Sequence, residues 1–124
     1  MKTLLVIAAL TVVAPLSRLS AHHSPAAFDR SQTIIVTGTV KKFAWANPHS
    51  WLYMQVPDGK GGDEQWTLEG GSVPVMARNG WTAKSIQTGQ KVRVLVAPRK
   101  DGTNGGEFLS VTFADGKVLA FGII

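Results

Sequence analysis

Three imidazoles, at His22, His23 and His49, are the side chains of this 124-residue chain best suited to coordination chemistry. If the mature polypeptide begins at His22, its free α-amine and ring nitrogen chelate one cation together, and His23 or His49 supplies a further imidazole. Amine and imidazole donors favour copper, nickel or zinc, and a set of three nitrogens with no thiolate suits tetragonal copper(II) best. A start one residue earlier would read Ala-His-His, which places an imidazole third from the amine and also takes copper or nickel. The chain holds no cysteine, so thiolate ligation is excluded. No spacing comparable to His-Glu-x-x-His occurs, so the metal reading rests on the terminal position of His22 and His23. The plainer alternative is an exported arm whose histidines bind nothing.

Where the mature chain begins decides that chemistry. Lys2 precedes a run that is apolar from Leu4 to Leu16 except at Thr11, and small residues follow as far as Ala21. A charged start, an h-region of about 7 to 15 apolar residues and a small residue before the cut describe a secretory signal. The run is too short to cross a bilayer, which takes about 20 residues. Cleavage is expected after Ala21, making residues 1–21 a signal peptide and the product periplasmic or secreted. An uncleaved anchor is the alternative, favoured only by Arg18 inside the cleavage region. Taking 21 residues from 124 leaves 103, and losing Lys2 and Arg18 from 13 basic side chains against 8 acidic ones leaves a net charge of +3. That length fits one domain with one core, held by apolar burial because no disulfide is available. The charge is too scattered for a nucleic-acid footprint.

Residues 22–32 read as an extended, polar N-terminal arm, and residues 33–124 as the folded domain. "TIIVTGTVKKFAW" is β-branched and alternating, with Ile34, Val36 and Val40 on one side, and Gly38 suggests a bend or bulge. "ANPH" forms a turn. "SWLYMQV" alternates Leu52, Met54 and Val56 against Trp51, Tyr53 and Gln55, and "PDGKGGD" closes a hairpin into "EQWTLEG". "GGSVPVMARNG" predicts a short helix with Ser72 as N-cap, Pro74 in the first turn and Gly80 as the stop. "TAKSIQTG" predicts one more helical turn. "QKVRVLVAP" and "EFLSVTF" are two further strands, and "KVLAFGII" a C-terminal strand or extension. Three strands, a short helix and two strands give a mainly β fold in the order of the OB-fold, a five-stranded barrel with a helix between strands three and four. An open β-sandwich is the competing arrangement.

These residues also resemble a family of small exported bacterial proteins of unassigned function. The resemblance is carried by His22, His23 and Ser24 at the mature start, by Gly38 and Val40, and by Trp45, Asn47, Pro48, His49 and Trp51 around the turn. It continues through Glu69, Gly70 and Gly71 and through Arg78, Gly80 and Trp81. Pro25 departs from the pattern, which has an aromatic there. The resemblance implies an exported compartment and an OB-fold-like architecture, and no established activity.

Strand parity sorts the aromatic residues. Trp66 is expected in the core with Leu68, whereas Trp51 and Tyr53 face the other way beside Thr67 and Glu69. That face could stack on a planar or sugar-like ligand, unless the arm or the C-terminal segment covers it. Trp45 and Trp81 are expected to wall a groove with Arg78 next to Asn47, and Glu69 to pair with Arg78 or His49. His49 has a plainer role too, bonding a buried carbonyl in the turn. No serine or cysteine nucleophile motif and no phosphate-cradling loop is present, so a non-enzymatic binding module is expected. Its copper ligands would be His22, His23 and His49. The alternative is a small-molecule or peptide sensor using Trp45, Asn47, Trp51, Tyr53, Glu69, Arg78 and Trp81. A cell-envelope protein is a further candidate partner, with no nucleic acid and no membrane span after cleavage.

Overall fold

Alternating β-branched and aromatic residues build six strands around one short helix. The computed structural model describes residues 27–121; the expected signal peptide, His22 and His23 lie outside them. The strands are β1 (Ile34–Ala44), β2 (Trp51–Pro57), β3 (Asp63–Glu69), β4 (Lys91–Pro98), β5 (Gly105–Thr112) and β6 (Val118–Ala120), with helix α1 (Val73–Arg78) between β3 and β4. The sheet runs β3-β2-β1-β4-β5-β6, and β3 returns to pair with β5. Five strands therefore close into a mixed barrel, the OB-fold-like arrangement expected, with β6 added outside the closure. Closure leaves few unpaired ladder groups, which suits a chain that has no disulfide to hold an edge in place.

The inward residues follow the predicted parity. Val36, Val40, Leu52, Met54, Leu68, Val94, Val96, Phe108 and Val111 form the core with Met76 of α1. Each such side chain contributes about 1.5–3 kcal/mol by leaving water. Trp66, expected inside with Leu68, packs on this core only from its margin and directs its ring N–H to Glu64 Oε1 at 3.3 Å. Position explains the difference: Trp66 pairs with Met54 ahead of the stretch of β3 that meets β5.

Two local expectations are corrected. The irregularity in β1 falls between Val40 and Lys42, not at Gly38, whose pairing with Val92 is continuous. Gly38 instead allows β2 close, since a Cβ there would collide with the Gln55 carbonyl oxygen. The segment after α1 forms turns and not another helical turn. Its hydrogen-bonding groups are used elsewhere: Gly89 N–H donates to the Val40 carbonyl and Val40 N–H to the Gln90 carbonyl, each at 2.8 Å.

Before β1 the arm is docked. Phe28 bridges to Arg99 and is buried, Asp29 N–H donates to the Pro98 carbonyl at 2.8 Å, and Lys100 N–H donates to the Ala27 carbonyl at 3.0 Å. Arg30 crosses to Glu107 of β5, Nη2 to Oε2 at 2.7 Å. The Ser31 hydroxyl and then the Ser31 N–H bond to the Asp29 carboxylate and hold its pKa below the usual value of 3.8.

Two outcomes follow. Gly38→Ala should lower stability by about 1–3 kcal/mol, the usual cost of overpacking, read as a reduced urea midpoint at unchanged slope; wild-type stability would contradict the close approach. Because the folded-state pKa of Asp29 is depressed, its stabilisation is present above the unfolded value and is lost as pH falls through the lowered one. A carboxyl-carbon NMR titration should place its midpoint below 3.8, and a midpoint at or above that value would remove the Ser31 bonds from the account.

Candidate functional site

The turn from β1 to β2 is where chemistry-bearing residues converge. Pro48 follows a cis peptide bond from Asn47. Ser50, fully buried, ties the turn to the end of β3: its N–H donates to the Gly71 carbonyl and Gly70 N–H donates to the Ser50 carbonyl, each at 2.8 Å. Its hydroxyl lies 3.3 Å from Ala46 N and 3.4 Å from Ala46 O. These bonds fix the backbone on both sides of His49.

His49 Nδ1 lies 3.1 Å from the Gly70 carbonyl oxygen and 3.1 Å from Glu69 Oε1. Its side chain is 35% exposed and that of Glu69 is 9% exposed. Both groups are acceptors, so Nδ1 bonds to either of them as the donor. Of the two partners anticipated for Glu69, His49 is the one met. Arg78, in the last turn of α1, is exposed and pairs with neither.

Glu69 also sits at the barrel's closing seam. It pairs with Trp51 of β2 on one side and with Glu107 of β5 on the other. Glu107 pairs in turn with Ala97 of β4 and receives Arg30 of the arm. One row of residues thus runs from the docked arm to His49. The sequence reading overlooked Phe28, Arg30 and Glu107; the only cue was one aromatic residue in an otherwise polar arm.

The aromatic expectations divide. Trp51 and Tyr53 stand beside Glu69 and Thr67 as parity required, both half-buried, and Lys42 Nζ lies 6.0 Å from the Tyr53 ring centre. Trp81 is no groove wall. It is 2% exposed, its ring centre lies 5.6 Å from that of Phe108, and its N–H donates to the Ala120 carbonyl at 2.8 Å. An indole beside a short helix whose inner face offers only Met76 is the largest apolar group able to fill that corner of the core. Trp45 is half-buried against Phe43, ring centres 5.9 Å apart. The expected groove between Trp45, Trp81 and Arg78 is therefore not formed.

Asn47, anticipated as a ligand contact, has a structural task. Its Oδ1 accepts from Val73 N–H at 2.9 Å, at the N-terminus of α1. Ser72 occupies the N-cap position as predicted but makes no side-chain capping bond. Among the described residues no group of three or more His, Asp or Glu side chains is gathered as for a metal ion, and no helix is long and apolar enough to cross a membrane.

The sequence model of a family described as one of unknown function, DUF6152, matches residues 9–108. Neither the curated proteins nor the solved structures contain a match.

Asn47→Ala should destabilise the fold by about 1 kcal/mol, the typical cost of losing a helix cap, whereas Ser72→Ala should change stability little. Urea denaturation of both variants decides this, and the reverse order would return the capping role to Ser72.

Proposed function

The chain belongs to DUF6152, a family of unknown function, and from that starting point we propose that it is an exported, non-enzymatic module that binds copper(II). The mature N-terminus, cut after Ala21, would contribute the His22 amine and imidazole with His23, and the barrel would contribute His49. The observation that carries this reading is the anchorage of the arm by Phe28 on the barrel that also bears His49.

Chain reach supports it. The arm flanks β4, so β4, β5 and β3 are crossed in three strand spacings, about 14 Å. Ala27 lies level with Lys100, three residues beyond the Ala97–Glu107–Glu69 row, a further offset of about 10 Å along the strands. Together these amount to about 17 Å over a flat sheet, and barrel curvature shortens that path. The five residues from Ala27 back to His22 span up to about 17 Å when extended. His49 is thus within range of a terminus starting at His22. Nitrogen donors of this kind suit copper(II) by both ligand type and geometry.

Export is supported by the charged start, the apolar run and the small residues before His22. The competing sensor reading, with a planar metabolite or peptide on the aromatic face, retains Trp51 and Tyr53 but loses the groove that Trp81 was to wall.

Copper(II) should be titrated into protein with a mass-verified His22 start, into the same protein with one extra N-terminal residue, and into His49→Ala. One equivalent should bind with sub-micromolar Kd, weakened at least about tenfold, or 1.4 kcal/mol, in both altered forms. Micromolar or weaker uptake that neither change affects would end the copper reading. A fluorescence response of Trp51 to planar metabolites or peptides would then favour the sensor.

A further inference from the structure

We infer that the outer face of β1, β4 and β5 docks an extended acidic segment of a partner protein, one that carries an apolar residue and two carboxylates at alternate positions. The inference involves none of the histidines and stands apart from the copper reading.

Strand register assembles the face. Val92, Val94 and Val96 fill the core, so Leu95, Arg93 and Lys91 point outward along β4, an apolar group and then two cations, each about 7 Å from the next. β1 lays Ile35, Thr37 and Thr39 beside them pair by pair, and β5 lays Ser110 against Leu95 and Thr112 against Arg93. Arg93 therefore stands between two threonines, each one strand spacing of about 4.8 Å away. Among the described residues the side chains of Lys91, Arg93, Thr37 and Thr112 make no hydrogen bond or ion pair.

Charge selects the occupant. β1, β4 and β6 contain no acidic residue, and Glu107, the one acid of β5, is engaged by Arg30. Lys91 borders two hollows that also hold Asp63, bonded by the Gln55 amide at 2.9 Å, and Asp115, bonded by the Lys117 N–H at 2.9 Å. Both acids lie at the Lys91 end, which leaves Arg93 as the stronger anchor. A second copy docked symmetrically would set cations against cations, so the complementary partner is one that brings carboxylates.

The opposite end of the row is apolar. Ile35 is 58% exposed, and with Leu95, Arg93 and Ser110 it lines a depression of about 190 Å³. Ser110 is only 8% exposed, and its hydroxyl has no hydrogen-bond partner among the described residues, so a polar group is held beside the guanidinium with its bonding capacity unused. A carboxylate on Arg93 would take charge-assisted bonds from the guanidinium and the flanking hydroxyls. An apolar side chain two residues along would cover Ile35 and Leu95. An extended segment repeats its side-chain direction every second residue at the rise of a strand, and so meets this row position by position, as a helix or a lipid surface does not.

Fluorescence anisotropy with the capped, labelled peptide Ser-Leu-Thr-Glu-Thr-Glu-Ser, alongside amide NMR mapping, tests the inference. Wild type should bind it with a Kd below about 1 mM, less tightly as salt rises, with shifts at Ile35, Thr37, Arg93 and Thr112. Arg93→Gln should weaken binding about tenfold and Ile35→Ser severalfold, and wild type should not measurably bind a peptide with glutamine in place of both glutamates. No binding by wild type, shifts confined to another face, or unchanged affinity in Arg93→Gln would overturn the inference. Equal binding of a peptide whose two glutamates are adjacent would do the same, because the spacing would then carry nothing. Preference for phosphatidylglycerol vesicles would make the face a lipid surface, and self-association lost in Arg93→Gln would assign it to a second copy; either result rules out the acidic segment.

Discussion

The barrel is closed by a parallel ladder of three residue pairs, Thr67, Leu68 and Glu69 of β3 against Gly105, Gly106 and Glu107 of β5. Parallel pairing is slightly less stable per residue than antiparallel pairing, so a seam this short needs support from both faces. Inside, Leu68 and Phe108 are completely buried across it. At Gly106 a side chain would drive into the Ala97 carbonyl and Val96, so the absence of a Cβ lets β4 and β5 draw together. Outside, Arg30 reaches over β4 to Glu107 and ties the arm to the same seam. Remove this contact set and the barrel opens between β3 and β5, leaving α1 with nothing to cap.

Closure also explains why the candidate site is where it is. Glu69 ends β3 at the last pair of the ladder, and the chain then turns through Gly70 and Gly71, whose peptide groups bond to Ser50. His49 is next to Ser50, so the imidazole meets the carboxylate through geometry imposed by the fold. Asn47 extends the same economy to the helix: one turn presents a histidine to β3 and, two residues earlier, an amide oxygen to the start of α1. A six-residue helix is far below the length of about 12–15 at which isolated helices become marginal in water. Its persistence depends on Met76 in the core and on a cap supplied from 26 residues away.

How much of this was legible follows from the range of the forces involved. Alternation has a period of two and acts between neighbours, so the inward set of β2 and the pairing of Trp51 and Tyr53 with Glu69 and Thr67 could be read from the sequence. The helix could be placed too, because Pro74 is tolerated only in its first turn. Illegible were the contacts set by three-dimensional closure. Ser72 looks like the cap because capping is usually local, whereas the acceptor comes from Asn47. Trp81 looks like a surface aromatic because it follows a glycine in a polar stretch, yet the void between α1 and Phe108 takes it. Phe28 gave no periodic signal, being a lone apolar residue whose partner strand is some 70 positions away.

A metal site shared between a barrel and a chain terminus must meet the entropy of ordering that terminus, about 1–2 kcal/mol for each residue fixed. The docked segment limits how many residues contribute. With Phe28 buried and Asp29 and Lys100 bonded across to β4 and the arm, the arm is already ordered as far back as Ala27. In the proposed site the barrel would offer His49 already oriented, since it is held through both its backbone and its ring, so little binding energy would go into immobilising that side chain. The acidic residues near the site reinforce this division of labour: Glu107 is engaged by Arg30 and Glu69 by His49. Both carboxylates thus have partners before any cation arrives, and the ligands of the proposed site are nitrogens, the donors that discriminate copper from the oxygen-seeking divalent ions.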